Sequence, residues 1–267
     1  MNAPRDLKRG MTGSDVAAWQ RFVLCPALDG IFGEQTETLT KMWQQHHALK
    51  ADGVVGPITR AAAEAATTVP PPHVQEALPT PATFIKARNF TKGRYGSPVT
   101  LVVLHTMENA EKPMAARAVA QWFAGDTAPQ ASAHFCVDAL EIVQCVAESD
   151  SAWAAPGANR NGLHIEHAGR AGQSTQDWSD AFSEAMLRRS AALCADLCRR
   201  HGIPIKRLSA AEVRAGARGI CGHIDVTIAF PDRKGTHWDP GPNFPWASYL
   251  ELVMAADGMG GKQTSIA

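Results

Sequence analysis

Residues Gly219 to Trp246 read G-I-C-G-H-I-D-V-T-I-A-F-P-D-R-K-G-T-H-W-D-P-G-P-N-F-P-W. A short apolar lead-in delivers His223, and His237 and Asp239 then stand immediately before a Pro-Gly-Pro turn. Imidazole and carboxylate are both good ligands for a borderline cation such as zinc, and a catalytic zinc site takes about three protein ligands with one position left open for water. The stretch is thus half of a metal site. The missing ligand has to come from elsewhere in the chain, and so does the acid or base that works beside it.

Working outward, Val99 to Leu104 is a β-branched and apolar run that predicts a buried strand, and it ends in His105. A histidine where a buried strand emerges has its backbone held rigidly at the edge of a sheet, which suits a ligand. Asn161 to His167, N-G-L-H-I-E-H, predicts another strand, whose alternation puts His164 and Glu166 on one face and Ile165 and His167 on the other. Ser132–Val137 and Ile142–Val146, separated by a short polar turn, predict a hairpin. Ala115–Phe123 predicts a helix. So does Trp178–Arg200, with Phe182, Met186, Ala191, Cys194 and Leu197 on one stripe and Gly202-Ile203-Pro204 ending it. Strands interleaved with helices imply an α/β domain with a mixed central sheet.

Upstream, Asp29-Gly30-Ile31-Phe32-Gly33 followed by Thr36 recurs as Asp52-Gly53-Val54-Val55-Gly56 followed by Thr59. Each copy is a D-G turn, an apolar pair, a glycine and the start of a helix. Leu39, Met42 and Trp43 lie at helical spacing between the copies, and Val16, Trp19, Gln20 and Val23 do so before them. Residues 1–66 therefore read as a small all-α domain of three helices. It carries no nucleophile and no acid–base pair, which makes it a binding module; Trp19 and Trp43 are expected in its core rather than on a ligand. Residues 67–83 are rich in proline and predict a semi-rigid spacer. The second domain occupies 84–258, and 259–267 is a tail.

The 267 residues are 45% hydrophobic, enough to bury a substantial core, and Lys plus Arg equals Asp plus Glu at 26 each. That balance offers no field for nucleic acid or anionic lipid, so neither is expected as a partner. No run approaches the roughly 20 apolar residues of a membrane span, and the N-terminus lacks the apolar core of a signal peptide. We expect synthesis in the cytoplasm, another route to any outside target, and a monomer. Six cysteines do not make a disulfide scaffold at this size. Cys194 and Cys198 read as buried thiols and Cys221 as a core residue. Cys136 and Cys145 flank the hairpin, where a pair is open to them but free thiols are expected.

Two resemblances follow from these residues. G-x-x-G-x-x-V-x-x-W-Q, D-G-x-F-G and A-D-G-V-V-G-P-x-T, covering Leu7 to Ala66, closely resemble the peptidoglycan-binding domain of cell-wall hydrolases. V-V-L-H-T at His105, S-A-H-F at His134, G-L-H-I-E-H-A-G at Glu166, G-H-I-D-V-T at His223 and D-P-G-P-N-F-P-W at Asp239 resemble zinc-dependent N-acetylmuramoyl-L-alanine amidases of the peptidoglycan-recognition-protein type. That resemblance implies zinc held by His105, His223 and Asp239, with Glu166 as general base. It implies cleavage between N-acetylmuramic acid and the L-alanine of the stem peptide. Members commonly carry lysine where this chain has His237; an imidazole there can still donate to an oxyanion, or compete for the metal, and the oxyanion role fits the ligand frame better. Relatives often show histidine where this chain has Ala154.

The whole points to a modular phage endolysin acting on the cell wall. A bacterial wall-remodelling or muropeptide-recycling amidase is the alternative, and a non-catalytic peptidoglycan receptor ranks last because all three ligands are kept.

Overall fold

The computed structural model describes residues 4–23, 25, 29–47, 49–68, 83–233 and 236–260. The chain divides into two compact units, Met1–Glu76 and Ala77–Ala267. Most of the proline-rich spacer, residues 69–82, and the tail from 261 onward lie outside the described residues.

The first unit contains α1 (Ser14–Phe22), α2 (Glu34–His46) and α3 (Pro57–Thr68). Its internal repeat has a polar cause. Gln20 donates to Asp29 Oδ1 at 2.9 Å, Ile31 O at 3.0 Å and Thr36 Oγ1 at 3.1 Å, and accepts from Gly30 N at 2.9 Å. Gln44 repeats the set with Asp52 Oδ1 (2.9 Å), Val54 O (3.0 Å), Thr59 Oγ1 (3.0 Å) and Gly53 N (2.8 Å). A single amide thus pins each D-G loop to the preceding helix. Gly30 (φ +70) and Gly53 (φ +75) take the left-handed conformation that these turns require. Trp19 is buried, donates to Thr40 Oγ1 at 2.9 Å and meets Trp43 edge-on at 5.7 Å, as a core residue should. α3 runs to Thr68, two residues into the expected spacer, because its alanine-rich sequence carries the helix on.

The second unit is built on a six-stranded mixed sheet. In chain order its elements are β1 (Thr83–Phe84), β2 (Phe90–Thr91), β3 (Leu101–Thr106), α4 (Ala115–Ala124), β4 (Phe135–Val137) and β5 (Ile142–Gln144). There follow β6 (Ser151–Ala152), β7 (Gly162–His167), α5 (Ala181–His201), α6 (Ala210–Arg214), β8 (Gly219–Gly222), α7 (His223–Ala229) and α8 (Trp246–Gly260). The spatial order is β1-β5-β4-β7-β3-β8, and β2 pairs with β6 apart from it. Only β4 and β5 run antiparallel within the large sheet, as the expected hairpin.

The two faces are filled differently. On one, α5 and α8 pack together; His167 Nε2 lies 2.6 Å from Ser190 Oγ on α5, which lies 2.8 Å from Tyr249 Oη on α8. On the other, α4 covers Cys136 and Val143 through Ala116, Ala120 and Phe123. α6 and α7 cover Leu101, Val103 and Cys221 through Val213, Val226 and Ala229. Between those two clusters, towards the carboxyl ends of β3 and β7, the same face carries the polar side chains of His105, His164 and Glu166.

Three expectations shift. The strand ending in His105 begins later and includes it, because the parallel ladder with β7 continues through His105 and Thr106. The hairpin strands are shorter than read: Ser132 N donates to Trp153 O and His134 N to His164 O, outside the hairpin. α8 was not anticipated; W-A-S-Y-L-E-L-V-M is apolar around most of its circumference and so shows no helical period. Cys136 and Cys145 are free thiols with sulfurs 3.7 Å apart.

Candidate metal centre

Three elements deliver the site. β3, an interior strand, carries His105 at its carboxyl end. β8 stops at Gly222 and α7 begins with His223, the turn being held by Gly222 N donating to Asp225 Oδ2 at 2.8 Å and by Arg207 2.8 Å from the same carboxylate. Asp239 arrives from the D-P-G turn, tied to α7 by Ile224 N donating to Asp239 O at 3.0 Å. Gly241 (φ +93) is obligatory in that turn, since a Cβ there would lie 1.8 Å from Ala171 O.

His105, His223 and Asp239 are all buried, and their ligand atoms lie within 4.8 Å of one another. Asp239 stands between the rings: Oδ2 is 3.1 Å from His105 Nδ1 and Oδ1 is 3.2 Å from His223 Nδ1. Thr106 N also donates to Oδ2, at 3.4 Å. Burial works to raise the Asp239 carboxyl, but hydrogen bonds from His105, His223 and His237 outweigh it and hold the group ionised. Burial brings His223 down to about 4, so its ring is neutral near pH 7. Two neutral imidazoles and one carboxylate are the donor chemistry of a divalent metal site. His223 Nε2 is buried without a hydrogen-bond partner among the described residues.

Glu166 lies opposite His105 in the β3–β7 register. The residue is partly exposed, yet its Oε2 is out of water and has no hydrogen-bond partner among the described residues. Burial first, and the neighbouring Asp239 charge second, push its carboxyl well above the usual range. His237 is different from the other two histidines. Its side chain is 62% exposed, its Nδ1 is 3.6 Å from Asp239 Oδ1, and its ring stacks on His223 at 4.6 Å and 8°. His237 and Asp239 are therefore not interchangeable: the aspartate joins the buried cluster and the histidine flanks it. Cys221 is buried and its thiol pushed up, which suits the core reading. Ala154 donates its amide to Asn159 Oδ1 at 3.1 Å in the loop after β6.

These features find their counterpart among known proteins. The family model for N-acetylmuramoyl-L-alanine amidase matches residues 95–242, more than half of the chain. The chain belongs to that family. A peptidoglycan-binding domain model matches residues 24–63, which span the two D-G loops, α2 and half of α3. N-acetylmuramoyl-L-alanine amidase A of Achromobacter lyticus is 30% identical over 170 residues, 59% of this chain and 84% of that protein. The fold is shared with the Staphylococcus aureus hydrolase AmiA, solved in complex with its ligand, at a TM-score of 0.52 and 15% identity over 68% of this chain and 86% of that one. The activity is accordingly that of an N-acetylmuramoyl-L-alanine amidase acting on peptidoglycan. Among the described residues, no helix of the amidase is long and apolar enough to cross a membrane.

Two neighbours of the site had no assigned role in the sequence. His164 Nδ1 lies 3.0 Å from His105 Nε2, and Glu108, in a left-handed conformation (φ 53), accepts from Thr106 Oγ1 at 2.6 Å and Ala171 N at 2.9 Å. The strand alternation that grouped His164 with Glu166 was the available signal for the first. Nothing in the sequence pointed to the second, because its placement depends on a turn after β3.

Proposed function

We propose that the amidase is a zinc enzyme in which His105, His223 and Asp239 hold the metal, Glu166 is the general base and His237 stabilises the developing oxyanion. The observation that carries this reading is the buried trio of donors within 4.8 Å, with the Glu166 carboxyl on the adjoining strand. A zinc ion held there supplies Lewis acidity, activating water and polarising the scissile carbonyl. Glu166 takes the proton from the attacking water and returns it to the departing nitrogen of L-alanine, a role that an unpartnered Oε2 leaves it free to fill. His237, exposed at the rim and drawn towards the protonated form by Asp239, donates to the carbonyl oxygen as charge builds on it. Asp239 thus holds both the metal and the orientation of His237.

The first unit retains the enzyme on the polymer. Biologically this arrangement suits a phage endolysin. Metal analysis of the purified protein tests the central part: near-stoichiometric zinc that is lost in Asp239→Ala supports it. A metal-free protein that still exposes alanine amino termini in peptidoglycan would overturn it.

A further inference from the structure

We infer that His164 is a positioning residue for the metal centre: its Nδ1 accepts the Nε2 proton of His105 and so fixes which nitrogen of His105 faces the metal. The inference rests on the reading of His105 as a ligand and goes beyond it, because it assigns a function to a residue outside the ligand set.

The argument is one of tautomers. A neutral imidazole has one N–H and one lone pair. His105 Nδ1 is the nitrogen turned towards Asp239 and into the cluster, 3.1 Å from its Oδ2. To serve as a ligand Nδ1 must present its lone pair, which leaves the proton on Nε2. That proton needs an acceptor in a buried place, and the atom supplied is His164 Nδ1 at 3.0 Å. The acceptor is itself fixed. His164 and His105 project from neighbouring strands on the same face, Val103 pairing with His164 and His105 with Glu166.

The backbone of His164 is clamped to a third histidine: His164 N donates to His134 Nδ1 at 3.1 Å, and His134 N donates to His164 O at 3.1 Å. The His134 and His164 rings stack at 5.5 Å and 14°. His134 Nε2 in turn lies 2.9 Å from the Arg94 guanidinium and 3.2 Å from Asp150 O, so the ring that braces the His164 backbone is itself held at both nitrogens.

Room for the ring is also provided. A Cβ at Gly162, two residues earlier on the same face, would lie 2.9 Å from His164 Nε2 as well as 2.7 Å from Ala158 O. The arrangement has a cost that a purely structural histidine would not incur. With Nδ1 accepting, the proton of His164 is on Nε2, and that atom is buried with no hydrogen-bond partner among the described residues. An apolar side chain would fill the same space without an unpaired donor. A group that orients a ligating imidazole through its second nitrogen typically changes metal affinity by about 10–100-fold when removed.

The test is zinc affinity by competition with a chromophoric chelator, on the full chain, for the unaltered protein and for His164→Ala, His164→Leu and His164→Asn. Thermal unfolding of each metal-free protein identifies the temperature at which all are folded. Ala and Leu should each weaken zinc binding by about 10–100-fold, and Asn, whose Oδ1 can accept from His105, should recover most of the loss. The visible spectrum of the cobalt-substituted protein should change in band position for Ala and Leu and return with Asn. Affinity and spectrum of His164→Leu equal to those of the unaltered protein would overturn the positioning role while leaving the ligand set intact. Failure of the unaltered protein to bind zinc would instead overturn the metal reading, and this inference with it.

Discussion

Glu166 stands directly opposite His105 across the parallel β3–β7 ladder, its carboxylate partly out of water and without a hydrogen-bond partner on Oε2. A proposed metal ligand and a proposed base are thereby held by one pair of backbone strands, and neither depends on a loop for its position. Burial and the Asp239 charge favour the protonated carboxyl, whereas a cation bound to the three ligands favours the carboxylate. The working ionisation of Glu166 is thus tied to occupancy of the site.

Glu166→Gln preserves the shape of the side chain and removes its basicity. The rate at which alanine amino termini appear in peptidoglycan should fall by about 10²–10⁴-fold, the usual worth of a positioned acid or base, with zinc content unchanged. Activity that survives this substitution moves the base elsewhere.

His237 is exposed and flanks the cluster rather than joining it. His237→Ala should reduce turnover by about 10²–10³-fold while zinc stays near stoichiometric, the size of effect seen when one oxyanion donor is lost. His237→Lys, the residue more common in the family, should keep more activity than the alanine variant. Loss of zinc in His237→Ala would make it a ligand.

Acid should destabilise the amidase domain through histidines kept neutral by burial. His134 is brought down to about 3 and His167 to about 4, each chiefly by burial. Both lie below the ordinary value of about 6.5, so the unfolded state binds the additional protons and stability rises with pH. The contribution is complete above about pH 6.5 and is lost progressively as pH falls towards 4. Asp138 and Glu111, pushed up by burial, act in the opposite sense and reduce the slope that the histidines set. Thermal midpoints measured from pH 7 to 4.5 should fall steadily; a flat or rising midpoint contradicts this account.

In the first unit, Gln44→Ala leaves Gly53 N and the D-G loop without their shared partner. A cost of about 1–3 kcal/mol is expected for the unsatisfied groups, read as a lower unfolding midpoint of that unit with the second unit's transition unmoved. Gln20→Ala should behave alike, since Gln20 makes the equivalent set of bonds.

What the sequence made legible follows from the range of the signals. His105 ends an apolar run, His223 follows another and Asp239 precedes a Pro-Gly-Pro turn, so each is marked by its immediate neighbours. The alternation in N-G-L-H-I-E-H correctly grouped His164 with Glu166, but that His164 reaches His105 depends on the β3–β7 register, which no local pattern encodes. The glutamines at 20 and 44 carry the internal repeat through bonds to residues 8 to 16 positions away, where periodicity is silent. α8 escaped because apolar residues lie around most of its circumference, buried Tyr249 and Val253 and exposed Met254 alike, and β1, β2 and β6 because two-residue strands are too short to alternate.

The most direct measurement is digestion of purified peptidoglycan by the full chain with and without a chelator, reading newly exposed alanine amino termini against newly formed reducing sugars. The account predicts alanine termini and no reducing sugars, loss of release on chelation and its return on adding zinc. Reducing sugars in place of alanine termini, or alanine release that persists after the metal is removed, would contradict it.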